Sequence, residues 1–182
     1  VLTGTILWPA FNSSMLAMLG IVNSGRAMLS KVNFPHEALV NTAMLKSTTD
    51  SVLASLLLIP VVLIFHVPAE PTILLFPAAV AGGLLLGWSL GLVMIPIAAL
   101  YGDVSRAIQL VLRFGFFLTP VVFALPAAGL ARKLMLVNPV TPVIVSGRAW
   151  LAGSAEAMPA AFIGVVTGSV IVGLIALVFY KV

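Results

Sequence analysis

From residue 73 to residue 100 the chain runs without one charged side chain. A helix of about 20 apolar residues crosses about 30 Å of hydrocarbon, so this run alone is long enough to span a bilayer. It is not isolated. Residues 1–24 and 157–180 are likewise free of charge, and 114–131 is a shorter charge-free run. Residues 38–65 are mostly apolar, with Lys46 and Asp50 in their first half. Charged residues make up 8 % of the chain, against about 25 % in a soluble domain, and mean hydropathy is +1.23. Too little ionic surface remains to keep such a chain in water. The apolar content excludes disorder, and the absence of Cys excludes a disulfide scaffold and thiolate chemistry. Nucleic-acid binding would need a basic stripe, and the nine Lys and Arg residues are scattered.

The runs predict an all-α integral membrane protein, residues 1–182 forming one transmembrane domain with about five spans. Residues 134–145 are apolar but too short to cross, and Asn138-Pro139 and Thr141-Pro142 interrupt them. With Lys133 before it and Arg148 after it, this stretch is expected to be a re-entrant helical hairpin before the last span. The chain starts inside an apolar stretch without Met or a basic leader, which reads as a fragment of a longer, six-span domain rather than a signal peptide. Alternating spans put Arg26, Lys31, Arg106, Arg113 and Lys181, with Lys46 at the boundary, on one face, and Arg132, Lys133 and Arg148 on the other. The excess marks the first face as cytoplasmic. There is no internal repeat of the kind an inverted-repeat transporter carries.

Candidate chemistry is sparse. Gly87-Trp88-Ser89-Leu90-Gly91 matches the G-x-S-x-G nucleophile elbow, but that motif needs a strand–turn–helix and a nearby His base. Gly83, Gly87 and Gly91, spaced four apart, read instead as a smooth strip for close helix packing, and Gly164 and Gly168 repeat the pattern in the last span. Lys46 and Asp50, at i and i+4, are suspects because intramembrane ionisable residues are costly. The plainer reading is a local ion pair at the cytoplasmic boundary. Two distant His and scattered carboxylates make no metal site, and Lys46-Ser47 lacks the glycines of a P-loop. No catalytic residue is expected, and any ATP hydrolysis needs a separate subunit. The loops 25–37 and 101–113 carry short helix-capable stretches on the cytoplasmic face. Asp103 stands at an N-cap, with Arg106 and Arg113 on one side of the helix that follows.

Lys31-Val32-Asn33-Phe34-Pro35-His36-Glu37 resembles the K-x-x-FP-x-E loop of type-2 ABC exporter permeases, in the branch that moves O-antigen, capsule and teichoic acid polysaccharides. Trp8-Pro9-Ala10-Phe11 resembles that branch's P-W-x-x-F neighbourhood with Trp and Pro in the other order. Tyr101-Gly102-Asp103-Val104 resembles its Y-R-D-[IV] loop, with Gly102 where Arg is usual. Leu118-Thr119-Pro120-Val121-Val122-Phe123 resembles S-P-[VI]-x-[YF]. Asn138-Pro139-Val140-Thr141-Pro142-Val143-Ile144 with Arg148 resembles N-P-[LV]-x-P-[IV]-I…R. Order and spacing agree along the chain, although the family's N-terminal interfacial helix and first span have no counterpart.

The resemblance implies a half-transporter in a bacterial inner membrane: two permease copies, two ABC ATPase subunits that bind ATP and Mg, and a glycan or glycolipid cargo. It implies no cofactor on this chain. Arg26, Lys31, Phe34, Pro35, Glu37, Tyr101, Asp103 and Arg106 would lie on the ATPase-coupling loops. Asn138, Pro139, Pro142 and Arg148 would belong to a re-entrant extracytoplasmic gate. Trp8, Phe11, Asn12, Ser13 and Ser14 would offer ring faces, an amide and hydroxyls to sugars along the substrate pathway, unless the two aromatics form an interfacial belt. Two other readings stand beside this one: a drug or lipid exporter of the same superfamily, and a secondary transporter or channel using Asp50.

Overall fold

A computed structural model gives the fold. It describes residues 2–29, 36–64, 71–126, 128–154 and 157–181, with side chains at all of these but 22–29, 36–37 and 180–181. Every regular element among the described residues is helical: α1 (Leu2–Leu29), α2 (His36–Leu56), α3 (Leu58–Ile64), a 3₁₀ turn (Pro71–Leu75), α4 (Phe76–Leu100), α5 (Val104–Leu118), α6 (Leu130–Val137), α7 (Val140–Ala152) and α8 (Pro159–Lys181). Prolines set several of the boundaries. Pro60 has no N–H for the carbonyl of Leu56 and its ring crowds that carbonyl, and α2 gives way to α3 at Leu57. Pro77 sits in the first turn of α4, where a missing N–H costs nothing.

Among the described residues three helices are long and apolar enough to cross a membrane: Ala38–Ile64, Pro71–Leu100 and Pro159–Phe179. The α6–α7 pair makes a fourth if counted as one crossing. The structure thus supports an all-α, multi-pass membrane protein with three to four candidate spans, fewer than the expected five. One shortfall is the run 114–131, which is not one helix: it holds the end of α5 and the start of α6 with unwound chain between them. Pro120 forces Thr119 into an extended conformation (φ −112°, ψ 142°), and α5 stops at Leu118. Its 15 residues begin at Val104, inside the expected loop, because Arg106 and Arg113 lie on its exposed side and do not interrupt it. At 1.5 Å per residue α5 measures about 22 Å, short of the hydrocarbon thickness. Likewise α1 continues as a helix to Leu29, past the expected loop start at residue 25.

Helices α1 and α4 form the centre. Half of the apolar window of Pro71–Leu100 is buried, against 17 % for Ala38–Ile64 and 11 % for Pro159–Phe179. Leu7, Phe11, Met15 and Met18 of α1 lie against α4. A Cβ on Gly87 would collide with Ser14 Oγ and the Phe11 carbonyl, and one on Gly91 would lie 2.6 Å from Met18 Cβ. Gly83 is looser, with the Leu7 carbonyl oxygen 3.7 Å from its Cβ position. Lipid tails give helices no solvophobic reason to associate, so this close approach is what supplies dispersion contact. Gly164 and Gly168 do not repeat the arrangement: a Cβ on either meets nothing within 4 Å. On α8 it is Phe162 that packs inward, edge-on to Trp150 of α7 at 4.9 Å and against Gly82 of α4.

Candidate functional site

Long-range side-chain hydrogen bonds gather where α5 ends and α6 meets α7. Asn138-Pro139 breaks the α6–α7 pair with a bend of 97°. Pro139 cannot donate, and the residue before it takes an extended conformation (φ −73°, ψ 118°). Asn138 Oδ1 accepts from the Val140 N–H at 3.0 Å, satisfying one of the free donors at the start of α7. Its Nδ2 donates to Thr119 Oγ1 at 2.8 Å, and that hydroxyl donates to the Gly115 carbonyl at 2.8 Å. The Thr141 hydroxyl donates back across the bend to the Met135 carbonyl. Thr119, Val121, Thr141 and Ser146 are fully buried.

Arg148, two turns along α7, holds the unwound chain that follows α5. Its Nη2 donates to the carbonyls of Pro120 at 2.6 Å and Val121 at 2.9 Å, and Nη1 donates to that of Phe123 at 3.0 Å. Backbone that leaves the helix inside a membrane loses its intrahelical partners, and each carbonyl left bare is costly. One guanidinium, with several donors fixed in a plane, covers three of them. On the far side Gly4 of α1 lets the Val121 carbonyl approach, since a Cβ there would collide with that oxygen. Further bonds fix α7 itself: Thr72 Oγ1 donates to the Trp150 carbonyl at 2.9 Å, and Ser146 Oγ accepts from the Met158 N–H at 3.2 Å. Of the expected gate residues, Asn138, Pro139 and Arg148 therefore meet at one junction, and Pro142 lies buried in the first turn of α7. Thr119 is the member that composition and spacing pass over. Its signal was the proline that follows it.

The expected substrate-pathway residues are placed differently. Trp8 and Phe11 are buried, their rings 5.6 Å apart, and Trp8 also meets Phe116 of α5 edge-on at 6.0 Å. Both rings are spent on packing and present no face to a sugar, nor do they form a belt at the surface. Asn12 is partly exposed, and its Oδ1 is buried without a hydrogen-bond partner.

Of the expected coupling residues, Lys31, Phe34 and Pro35 lie outside the described residues, while Arg26 falls in α1 and Glu37 in the first turn of α2. Tyr101, Asp103 and Arg106 are exposed around the start of α5. Asp103 occupies the N-cap position but its side chain makes no capping bond; it lies 3.7 Å from Arg106 in an exposed ion pair. Lys46 and Asp50 are both exposed and do not form the expected ion pair. Ser89 is buried and donates to the Leu86 carbonyl at 2.9 Å within α4, in a continuous helix and not the strand–turn–helix that the nucleophile elbow needs. Among the described residues no three His, Asp or Glu side chains are grouped to hold a metal. The chain was compared with protein-family models and with curated proteins, and nothing matches it in either.

Proposed function

We propose that the chain is the membrane-spanning permease subunit of an ATP-driven ABC exporter. Its cargo would be a lipid-linked polysaccharide of the O-antigen, capsule or teichoic acid type, moved outward across a bacterial cytoplasmic membrane. Two copies enclose the path, because one chain of this size surrounds no wide pore. Two ATPase subunits dock on the face that carries Arg26, Lys31, Phe34, Pro35, Glu37, Tyr101, Asp103 and Arg106, and ATP and Mg bind on those subunits. The chain crosses the membrane about five times, with α6–α7 entering and leaving on the extracytoplasmic side. The observation that carries this reading is a coincidence of sequence and geometry. Two segments that resemble the family's motifs, around Thr119-Pro120 and around Asn138 to Arg148, are joined by four hydrogen bonds where the backbone leaves the helix.

The test is assembly and export in cells. The full chain, co-expressed with an ATPase encoded beside it, should co-purify with that ATPase, and its deletion should strip the cell surface of one glycan. Glu37→Ala and Asp103→Ala should weaken the complex or its stimulated ATPase activity while leaving membrane insertion intact. An unchanged surface glycan on deletion, with no ATPase captured, would refute the proposal.

A further inference from the structure

The face of α2 turned away from the core carries polar residues around the exposed Leu45 in its first half and is mostly apolar beyond it. Asn41, Thr42, Lys46, Thr49 and Asp50 are exposed there, followed by Val52, Leu53 and Leu56. Lys46 and Asp50 stand one turn apart without pairing. They lie inside Ala38–Ile64, a candidate span whose 27 residues exceed the roughly 20 that the hydrocarbon takes up. Suppose the whole excess of about seven residues precedes the membrane; Asp50 then still lies about five residues, or 8 Å, within the hydrocarbon. A charge held there against lipid is costly, so this face is covered by protein or by water.

Two grooves of similar size flank α2, and their linings differ. The one towards α4, about 550 Å³, is lined by Val52, Leu56, Leu63, Phe76 and Leu84 among other apolar residues, and suits an acyl chain. The one towards α1, about 620 Å³, sets Ser13, Thr42, Lys46 and Asp50 among apolar residues such as Leu16 and Leu39. It holds hydroxyls, an ammonium and a carboxylate, and no aromatic ring.

We infer that the α1–α2 groove is a water-filled site within the membrane through which the hydroxyl-rich cargo passes, and that Lys46 and Asp50 face that water and not lipid. The inference rests on the proposed export of a glycan; of the residues expected to meet sugars it keeps Ser13, leaves out Trp8 and Phe11, and adds Thr42, Lys46 and Asp50. Donors and acceptors of both charges, closely spaced, match the alternating hydroxyls of a saccharide.

The Cys-free chain makes the test direct. Single substitutions Ser13→Cys, Thr42→Cys, Lys46→Cys and Asp50→Cys, with Leu53→Cys as reference, are placed in the full chain in native membranes and treated with a charged, impermeant thiol reagent. Only the thiolate reacts, and a thiol against hydrocarbon keeps its proton. A rise of about two pKa units lowers the thiolate fraction about 100-fold, so the groove positions should label about 100-fold faster than Leu53→Cys. Prior labelling of Thr42→Cys should also block glycan export, with the ATPase complex still assembled. Groove positions labelling as slowly as Leu53→Cys overturn the inference, and so does complete labelling that leaves export untouched. Rapid disulfide formation between copies at Lys46→Cys overturns it in favour of an interface between protomers. Ser13→Cys keeps the side chain near its original size, and decides the matter should the charged sites fail to accumulate. If the parent chain exports no glycan, the exporter reading falls, while the labelling rates still report whether the groove is wet.

Discussion

Replacing Arg148 with Ala tests whether one side chain holds the broken backbone between α5 and α6. The guanidinium donates to the carbonyls of Pro120, Val121 and Phe123. The Phe123 bond is exposed and counts for little. The other two come from a charged donor in a partly buried setting, where each is worth about 1.5–3 kcal/mol, or about 3–6 kcal/mol together. Removing the guanidinium relieves its own desolvation, which offsets part of that loss. The stranded Val121 carbonyl finds no new partner by relaxing, because Gly4 of α1 already lies against it. The expected net loss is about 2–4 kcal/mol for Arg148→Ala, about half of it recovered by Arg148→Lys, whose single ammonium reaches fewer of the carbonyls. The assay is reversible unfolding in mixed detergent micelles followed by helical circular dichroism. Amide exchange over residues 121–125 should quicken while exchange in α4 stays as it was. A stability within about 0.5 kcal/mol of the parent, with unchanged exchange, would refute the argument, since that is the range of an ordinary surface substitution.

Two other outcomes follow from the packing and the bend. Gly87→Ala should lower stability by about 3 kcal/mol or more, because its methyl meets backbone and Ser14 of α1, whereas Gly164→Ala, in open space, should gain up to about 1 kcal/mol of helix propensity; equal effects in the same unfolding assay would mean that α1 and α4 are not in close contact. Single Cys residues in place of the exposed Lys133 and Ser154 should both react with an impermeant thiol reagent from outside the cell; labelling of either one solely from the cytoplasmic side would make α6–α7 a full crossing and not a re-entrant pair.

The apolar runs located two of the long helices well. Residues 73–100 hold α4 and 157–180 hold all but the last residue of α8, because a stretch long enough to span the bilayer has no other stable conformation in it. The break at Asn138-Pro139 was legible for an equally local reason, the missing donor and the crowding of the residue before proline. Composition misled at residues 114–131. It reports that a stretch tolerates lipid, whereas Pro120 decides whether the stretch is a helix. It misled in the other direction at Val104 to Arg113, where charges on one exposed side are compatible with an unbroken helix. Equal spacing did not give equal roles either: Gly87 lies against α1, while Gly168 has no neighbour. Spacing describes one helix, and the partner belongs to the fold. Arg148 was readable as the polar end of a hairpin, but its acceptors lie 25 to 28 residues away, beyond any local pattern.

Where most contacts are apolar and the solvent is lipid, dispersion alone holds a helix in place without fixing its register, because one apolar ridge resembles the next. Polar bonds between elements then carry the specificity, and their distribution is uneven. Most hydroxyls along the helices bond the carbonyl three or four residues back, as Ser14, Ser89, Thr167 and Ser169 do, and tie nothing to anything else. Apart from Trp88 donating to Ser47 Oγ, the long-range side-chain bonds between described residues converge on α7 and the bend before it: Thr72 to Trp150, Asn138 to Thr119, Met158 to Ser146, and Arg148 to Pro120, Val121 and Phe123. Helix α7 is therefore the element whose position is specified, while α2–α3 and α8 expose most of their apolar length. A displacement of α7 breaks these bonds or carries residues 119–123 with it. Bare carbonyls in a water-poor interior are costly, so a shift of α7 that kept these bonds would carry the bent pair and the unwound chain after α5 together.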